Sequence, residues 1–177
     1  MDNTHREKKY SKMLVKKAVI SILVAIWICV IFSFSLQPAE VSSELSRSTG
    51  SWIMETFFPY LEELVEEMPT AQVEFWHTIL RKCGHFSEFF ILGILSIITT
   101  SAWELRFKLP KTLAICVMVA SADETIQLFV PGRSGQISDV ILDGVGALTG
   151  ILALLALKRW SKLAAKVESI NEFQENM

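Results

Sequence analysis

Four stretches of the chain are dominated by apolar residues: Ala18–Leu36, Phe86–Trp103, Thr112–Val130 and Val140–Leu157. Each reaches the roughly 17–25 residues that an α-helix needs to span a bilayer. The first is nearly unbroken, whereas the other three are spotted with polar groups. Between the first two lies a long connector, Gln37–Gly84, divided by Pro38, Pro59 and Pro69. Its apolar residues recur at helical spacing: Leu45, Trp52, Ile53 and Phe57, then Leu61, Leu64, Val65 and Met68, then Val73, Trp76, Ile79, Leu80 and Cys83. Each piece pairs an apolar face with an acidic or polar one, which predicts short helices on the outer membrane surface that roof the bundle. Ser42 and Ser43 stand where hydroxyls cap the first of them. The predicted fold is therefore all-α: an integral membrane bundle of four transmembrane helices with short amphipathic helices in the first extracellular loop.

Composition supports a membrane protein. Hydrophobic residues make up 51% of the 177-residue chain, and mean hydropathy is +0.38, a poor fit to a soluble domain. The net charge of -2 says little, because the signs are segregated along the chain. Arg6, Lys8, Lys9, Lys12, Lys16 and Lys17 precede the first stretch; Arg106, Lys108 and Lys111 separate the second from the third; Lys158, Arg159, Lys162 and Lys166 follow the fourth. The long connector is acidic instead. Cytoplasmic loops carry the excess of Lys and Arg, so both termini are expected inside. The resulting division is a flexible basic arm (residues 1–17), a membrane domain (18–157, with the extracellular loop at 37–84) and a cytoplasmic amphipathic tail (158–177). Trp160, Leu163, Val167 and Ile170 give that tail an apolar face. The first apolar run exceeds the 7–15 residues typical of a signal-peptide core, so it is expected to stay as a helix. Cys29, Cys83 and Cys116 are far apart in this topology and form neither a disulfide framework nor a zinc spacing.

Candidate chemistry comes from acids where lipid-facing helices could not hold them: Asp123 and Glu124 in the third stretch, Asp143 in the fourth. A carboxylate at membrane depth costs several kcal/mol unless paired, wetted or protonated, and such groups face a bundle interior or a cavity. Val130-Pro131-Gly132-Arg133 allows only a tight turn between these helices, with glycine at the positive-φ position of a type II turn. His85 and Glu88 share one helix face, as do Glu124 and Gln127; Asp123 and Gln127, and Asp139 and Asp143, are one turn apart. In the four-span topology all of these lie in the outer half of the bundle. Gly146 and Gly150, with Gly144, Ala147 and Ala153, let the fourth span pack closely.

Bland roles compete with functional ones. Asp139 can cap the fourth span; Arg133 can be an interfacial anchor, a counter-ion for Asp139 or a fork for phosphate oxygens; Gln127 can bond across helices. Arg81 and Lys82 can be ordinary interface residues. Buried acids are harder to explain by packing, which never requires them. Clustered carboxylates with His85 suit general acid–base catalysis, and the same groups could hold a divalent metal ion, although no diagnostic metal motif is present. Soluble-enzyme motifs such as GxSxG and HExxH are also absent from the sequence.

In Arg81–Gly93, Asp123–Arg133 and Asp139–Gly146, the chain resembles VanZ-like family membrane proteins, and Ser33–Ser46 resembles that family's first-span exit. Cys83-Gly84 departs from the apolar residue and alanine expected there. The resemblance implies a bacterial plasma-membrane protein, in a family whose namesake is linked to low-level teicoplanin resistance. His85, Glu88, Asp123, Glu124, Gln127 and Asp143 are the candidate catalytic residues, with Arg133 and Asp139 as candidate substrate contacts. The expected partners are the lipid bilayer and an amphipathic envelope molecule, either a lipid-linked cell-wall precursor or a lipophilic glycopeptide; no nucleic acid is expected. Two further readings stand beside this one: a non-catalytic structural or shielding protein whose polar cluster cements the bundle, and a transporter, which four spans without a visible repeat make less attractive.

Overall fold

The computed structural model describes residues 3–57 and 69–175. The middle piece of the connector, with Leu61, Leu64, Val65 and Met68, lies outside the described residues. Five helices carry the rest: α1 (Asn3–Ser35), α2 (Ala39–Phe57), α3 (Thr70–Ala102), α4 (Lys108–Gln127) and α5 (Ile137–Glu175). No strand occurs among the described residues.

Three helices run past the ends of the apolar stretches. α1 begins at Asn3, so the basic arm is helical from there rather than flexible. α3 takes in the third piece of the connector, Val73 to Cys83, which is therefore not a separate surface helix. α5 passes through Lys158 and Arg159 without a break, so the tail extends the fourth apolar stretch. The cause is common to all three. Lys, Arg and Glu are good helix formers, and no proline interrupts these junctions. α4 ends at Gln127, short of Val130, because its last turn tightens: Phe129 N bonds Ile126 O and Val130 N bonds Gln127 O. Pro131 and Gly132 then turn the chain, with Gly132 at φ 74 and Arg133 N bonded to Val130 O, as a type II turn requires.

α1, α3, α4 and α5 pack side by side around Ile31, Phe89, Leu92, Cys116, Ala120 and Ala147. Polar contacts mark two opposite ends. At one, Trp103 Nε1 donates to Ser21 Oγ (3.1 Å), Lys17 lies over the Trp103 ring, and the Thr100 and Thr112 hydroxyls are 2.8 Å apart. At the other, Ser35 meets Asp123. α3 and α5 run parallel and touch through backbone. A methyl added at Gly146 would lie 2.6 Å from the Phe86 carbonyl oxygen, and methyls at Gly150 and Gly93 would strike the carbonyls of Phe90 and Ala147. Small residues permit this approach, as the spacing of Gly146 and Gly150 predicts.

Among the described residues, three helices are long and apolar enough to cross a membrane: α1 over Arg6–Ser35, α3, and α5 over Ile137–Asn171. α4 carries Lys108, Lys111, Asp123 and Glu124 and is more polar. Exposed Val19, Ile22 and Ile26 on α1, Met118 on α4, and Val145 and Leu152 on α5 give the bundle an apolar exterior. The chain is thus an all-helical bundle of membrane type.

The α3–α5 contact makes a direct prediction. Gly93→Ala should lower unfolding stability in detergent by about 1–3 kcal/mol, the usual cost of overpacking. Gly84→Ala, whose methyl meets nothing within 4 Å, should hold or raise it. Equal melting temperatures for the two variants would contradict the backbone contact.

Candidate functional site

The polar end of the bundle is built from the last turn of α1, the upper part of α3, the C-terminal turn of α4 and the start of α5. Asp123 is fully buried, and both its oxygens are held. Ser35 Oγ donates to Oδ1 at 2.5 Å, and Gln127 Nε2, one turn further along α4, donates to Oδ2 at 3.0 Å. Gln127 Nε2 also lies 3.3 Å from Glu124 Oε1. The other Glu124 oxygen accepts the backbone N–H of Gln136 at 2.8 Å. Gln136 caps α5, its carbonyl taking the N–H groups of Asp139 and Val140. Glu124 therefore ties the end of α4 to the beginning of α5, and Gly135 permits this: a methyl there would lie 2.6 Å from the Glu124 carbonyl oxygen.

Asp143 differs. It is 0% exposed, yet neither carboxylate oxygen has a hydrogen-bond partner among the described residues. His85 Nδ1 is likewise buried and unpartnered. His85, Asp123 and Asp143 each offer a ligand atom, and these atoms lie within 4.8 Å of one another. Three helices thus bring an imidazole and two carboxylates to one point. Such a set can exchange a proton or hold a cation.

A cleft of about 200 Å³ opens beside this point. Arg81, His85, Glu88 and Arg133 supply its charged lining, and Ser42, Leu45, Ser46 and Thr49 of α2 form the facing wall. His85 thus belongs to both cleft and cluster. Glu88 lies one turn along from it, and the Glu88 backbone carbonyl accepts Trp27 Nε1 at 2.9 Å, which joins α1 to α3. Arg133 donates through Nη2 to the Phe34 carbonyl at 3.3 Å, while its Nε is buried without a partner among the described residues. Burial, then the nearby Arg81 guanidinium, hold Arg133 below its ordinary value, against the opposing pull of Asp123 and Glu124. Arg81 and Arg133 thus bring two guanidinium groups to the same cleft as the Glu88 carboxyl.

Some sequence readings change. Asp139 pairs with Lys82, so Arg133 is not its counter-ion. The continuous α3 helix puts Lys82 beside the start of α5, which places Asp139 in an ion pair at a helix N-terminus. Ser42 and Ser43 do not cap α2. That helix starts at Ala39, with Ser42 N bonded to Pro38 O, and Ser42 lines the cleft instead. Ser35, Gln136 and the cleft-facing side of α2 are contributors that sequence reasoning missed. For Ser35 the available signal was a hydroxyl in the last turn of an apolar span, just ahead of Pro38.

Removing the Ser35 hydroxyl should expose how tightly Asp123 is held. Ser35→Ala leaves a fully buried oxygen without its donor, and should cost about 1–3 kcal/mol of stability in detergent. Ser33→Ala should change little, since Ser33 is exposed and bonds only the Val30 carbonyl of its own helix. An unaltered melting temperature for Ser35→Ala would show that Asp123 does not rely on this contact.

No curated protein and no solved structure matches the chain. The VanZ/LLP1 family model matches residues 20–158, from the middle of α1, through the acids of α4 and α5, to the end of the last apolar stretch. The chain belongs to the VanZ/LLP1 family.

Proposed function

We propose that this is a multi-pass protein of the bacterial plasma membrane whose cleft faces outward and binds the anionic group of an amphipathic envelope molecule. In this reading α4 crosses the membrane as well as α1, α3 and α5. Its 20 residues extend about 30 Å, the thickness of the hydrocarbon core. Its polar groups Asp123, Glu124 and Gln127 are buried inside the bundle rather than turned to lipid. Lys16, Lys17, Arg106, Lys108, Lys111, Lys158 and Arg159 lie toward the Trp103 end, which the positive-inside rule assigns to the cytoplasm together with both termini. The Ser35–Asp123 end then faces outward.

The observation that carries the functional reading is that the buried Asp143 carboxylate and the buried Nδ1 of His85 have no partner among the described residues. A cluster serving only to cement helices would satisfy its own oxygens, because an unpaired buried polar group costs stability with no structural return. Arg81 and Arg133 suit a phosphate or carboxylate, since guanidinium forks engage two oxygens together. A lipid-linked wall precursor has that chemistry: a phosphate at the interface and apolar chains for the bundle's exterior. His85, Glu88 and Asp143 then stand where a proton could be given or taken. Family membership links the reading to glycopeptide resistance, so teicoplanin susceptibility of a bacterial host carrying the protein is the natural readout.

Topology is tested by single cysteines on a background lacking Cys29, Cys83 and Cys116. A membrane-impermeant reagent should label a cysteine at Ser134 in intact cells and miss one at Lys108. Labelling at Lys108 from outside would overturn the outward cleft.

The cleft itself is tested at Arg133. Arg133→Lys keeps a cation on a long stem but loses the fork. It should abolish most of the resistance at normal membrane abundance, while Arg106→Lys in the α3–α4 connection leaves resistance intact. Full resistance in Arg133→Lys would return this residue to a structural role and favour the cementing function of the cluster.

A further inference from the structure

The groups beside the cleft are unevenly satisfied, and the Asp143 carboxylate has neither a donor nor a cation bonded to it among the described residues. Asp143 is wholly buried with two free oxygens, Asp123 is wholly buried beside it, and His85 adds a ring nitrogen. We propose that His85, Asp123 and Asp143 are the three protein ligands of a divalent cation, with a coordination position left open toward the cleft.

Geometry supports the assignment first. The three ligand atoms lie within 4.8 Å of one another, so small inward rotations bring them to a common ion at the roughly 2.0–2.2 Å that zinc takes with nitrogen and oxygen. Each ligand comes from a different helix, and the backbone contact of α3 with α5 beside Phe86 and Gly146 fixes two of them relative to each other. Asp123 has the surroundings of an oriented metal ligand. Ser35 and Gln127 each donate to one of its oxygens, and each oxygen keeps a further lone pair. Charge gives a second argument. Two carboxylates in a dry site need about two positive charges nearby; Arg133 acts on Asp123 from the cleft side, whereas Asp143 has no cation bonded to it among the described residues.

Donor type sets the class of ion. One imidazole with two carboxylates is a mixed nitrogen–oxygen set, which suits first-row divalent ions and Zn²⁺ in particular, rather than Ca²⁺ with its six to eight oxygens. Three protein ligands are the usual complement of a zinc site that keeps one position open. This deepens the reading of the cleft as a ligand site, because an ion there would add to Arg81 and Arg133 in holding an anionic group.

The test uses the full chain in detergent, stripped with chelator and titrated with Co²⁺ as a coloured substitute for Zn²⁺. The native protein should bind about one ion per chain with a visible d–d band, and Zn²⁺ should displace it and raise the melting temperature. His85→Gln and Asp143→Asn should lose the band, and Ser35→Ala should weaken Co²⁺ affinity roughly 10–100-fold. Glu74→Gln, at an exposed ion pair with Arg47, should bind as the native protein does. Absence of both band and thermal shift in the native protein overturns the site, whatever the variants do. So does a band that persists unchanged in His85→Gln and Asp143→Asn. Arg133→Lys should keep the ion, so loss of resistance in that variant and loss of metal in the others report on separate claims.

Discussion

Direct contact between the backbones of α3 and α5 is the constraint on which the rest of the structure depends. Gly93, Gly146 and Gly150 remove the side-chain layer that normally separates two helices. In a membrane, where burial of apolar surface gives helices no preference for one another over lipid, such close approach supplies the packing energy. It also sets a geometry. With Phe86 against Gly146, His85 and Asp143 fall at the same depth on adjacent helices. α4 then packs against both and brings Asp123 to the same level, and α1 closes the group with Ser35.

Within the polar end, satisfaction is unevenly distributed. Asp123 and Glu124 accept four hydrogen bonds between them, two from Gln127 and one each from Ser35 and Gln136. These bonds join three segments of chain, and they are structural in effect. Asp143 receives none among the described residues. The same small cluster therefore contains groups that hold the bundle together and groups that the fold leaves available.

Much of this was legible in the sequence, and the reasons are specific. An acid inside an apolar stretch is conspicuous because lipid penalises it, so Asp123, Glu124 and Asp143 stood out. Pro131-Gly132 could only turn, and it turns as a type II turn should. Helix ends were harder to see. Hydropathy marks where lipid contact stops, whereas helix formation continues through Lys17, Leu80 and Lys158 because nothing there breaks it. The partner of Asp139 followed from that error, since Lys82 reaches it only when α3 is continuous. Ser35 was hidden for another reason: a hydroxyl near a helix end usually bonds its own backbone, and only the fold brings this one to Asp123.

α2 stands apart from the glycine-packed helices in how it is held. It is joined to its surroundings by side chains and single bonds: Arg47 to Glu74, Gly50 beside Leu80, and Ala39 N to Pro131 O. Its Ser42, Leu45, Ser46 and Thr49 wall the cleft, while none of them touches the backbone contact that aligns His85 with Asp143. Substitution at these four positions can thus reshape what the cleft admits and leave the cluster in register. Such an arrangement divides evolutionary labour between two parts of one small bundle. Register is fixed where backbones meet, and the shape of the opening is free to drift on a single helix laid across it.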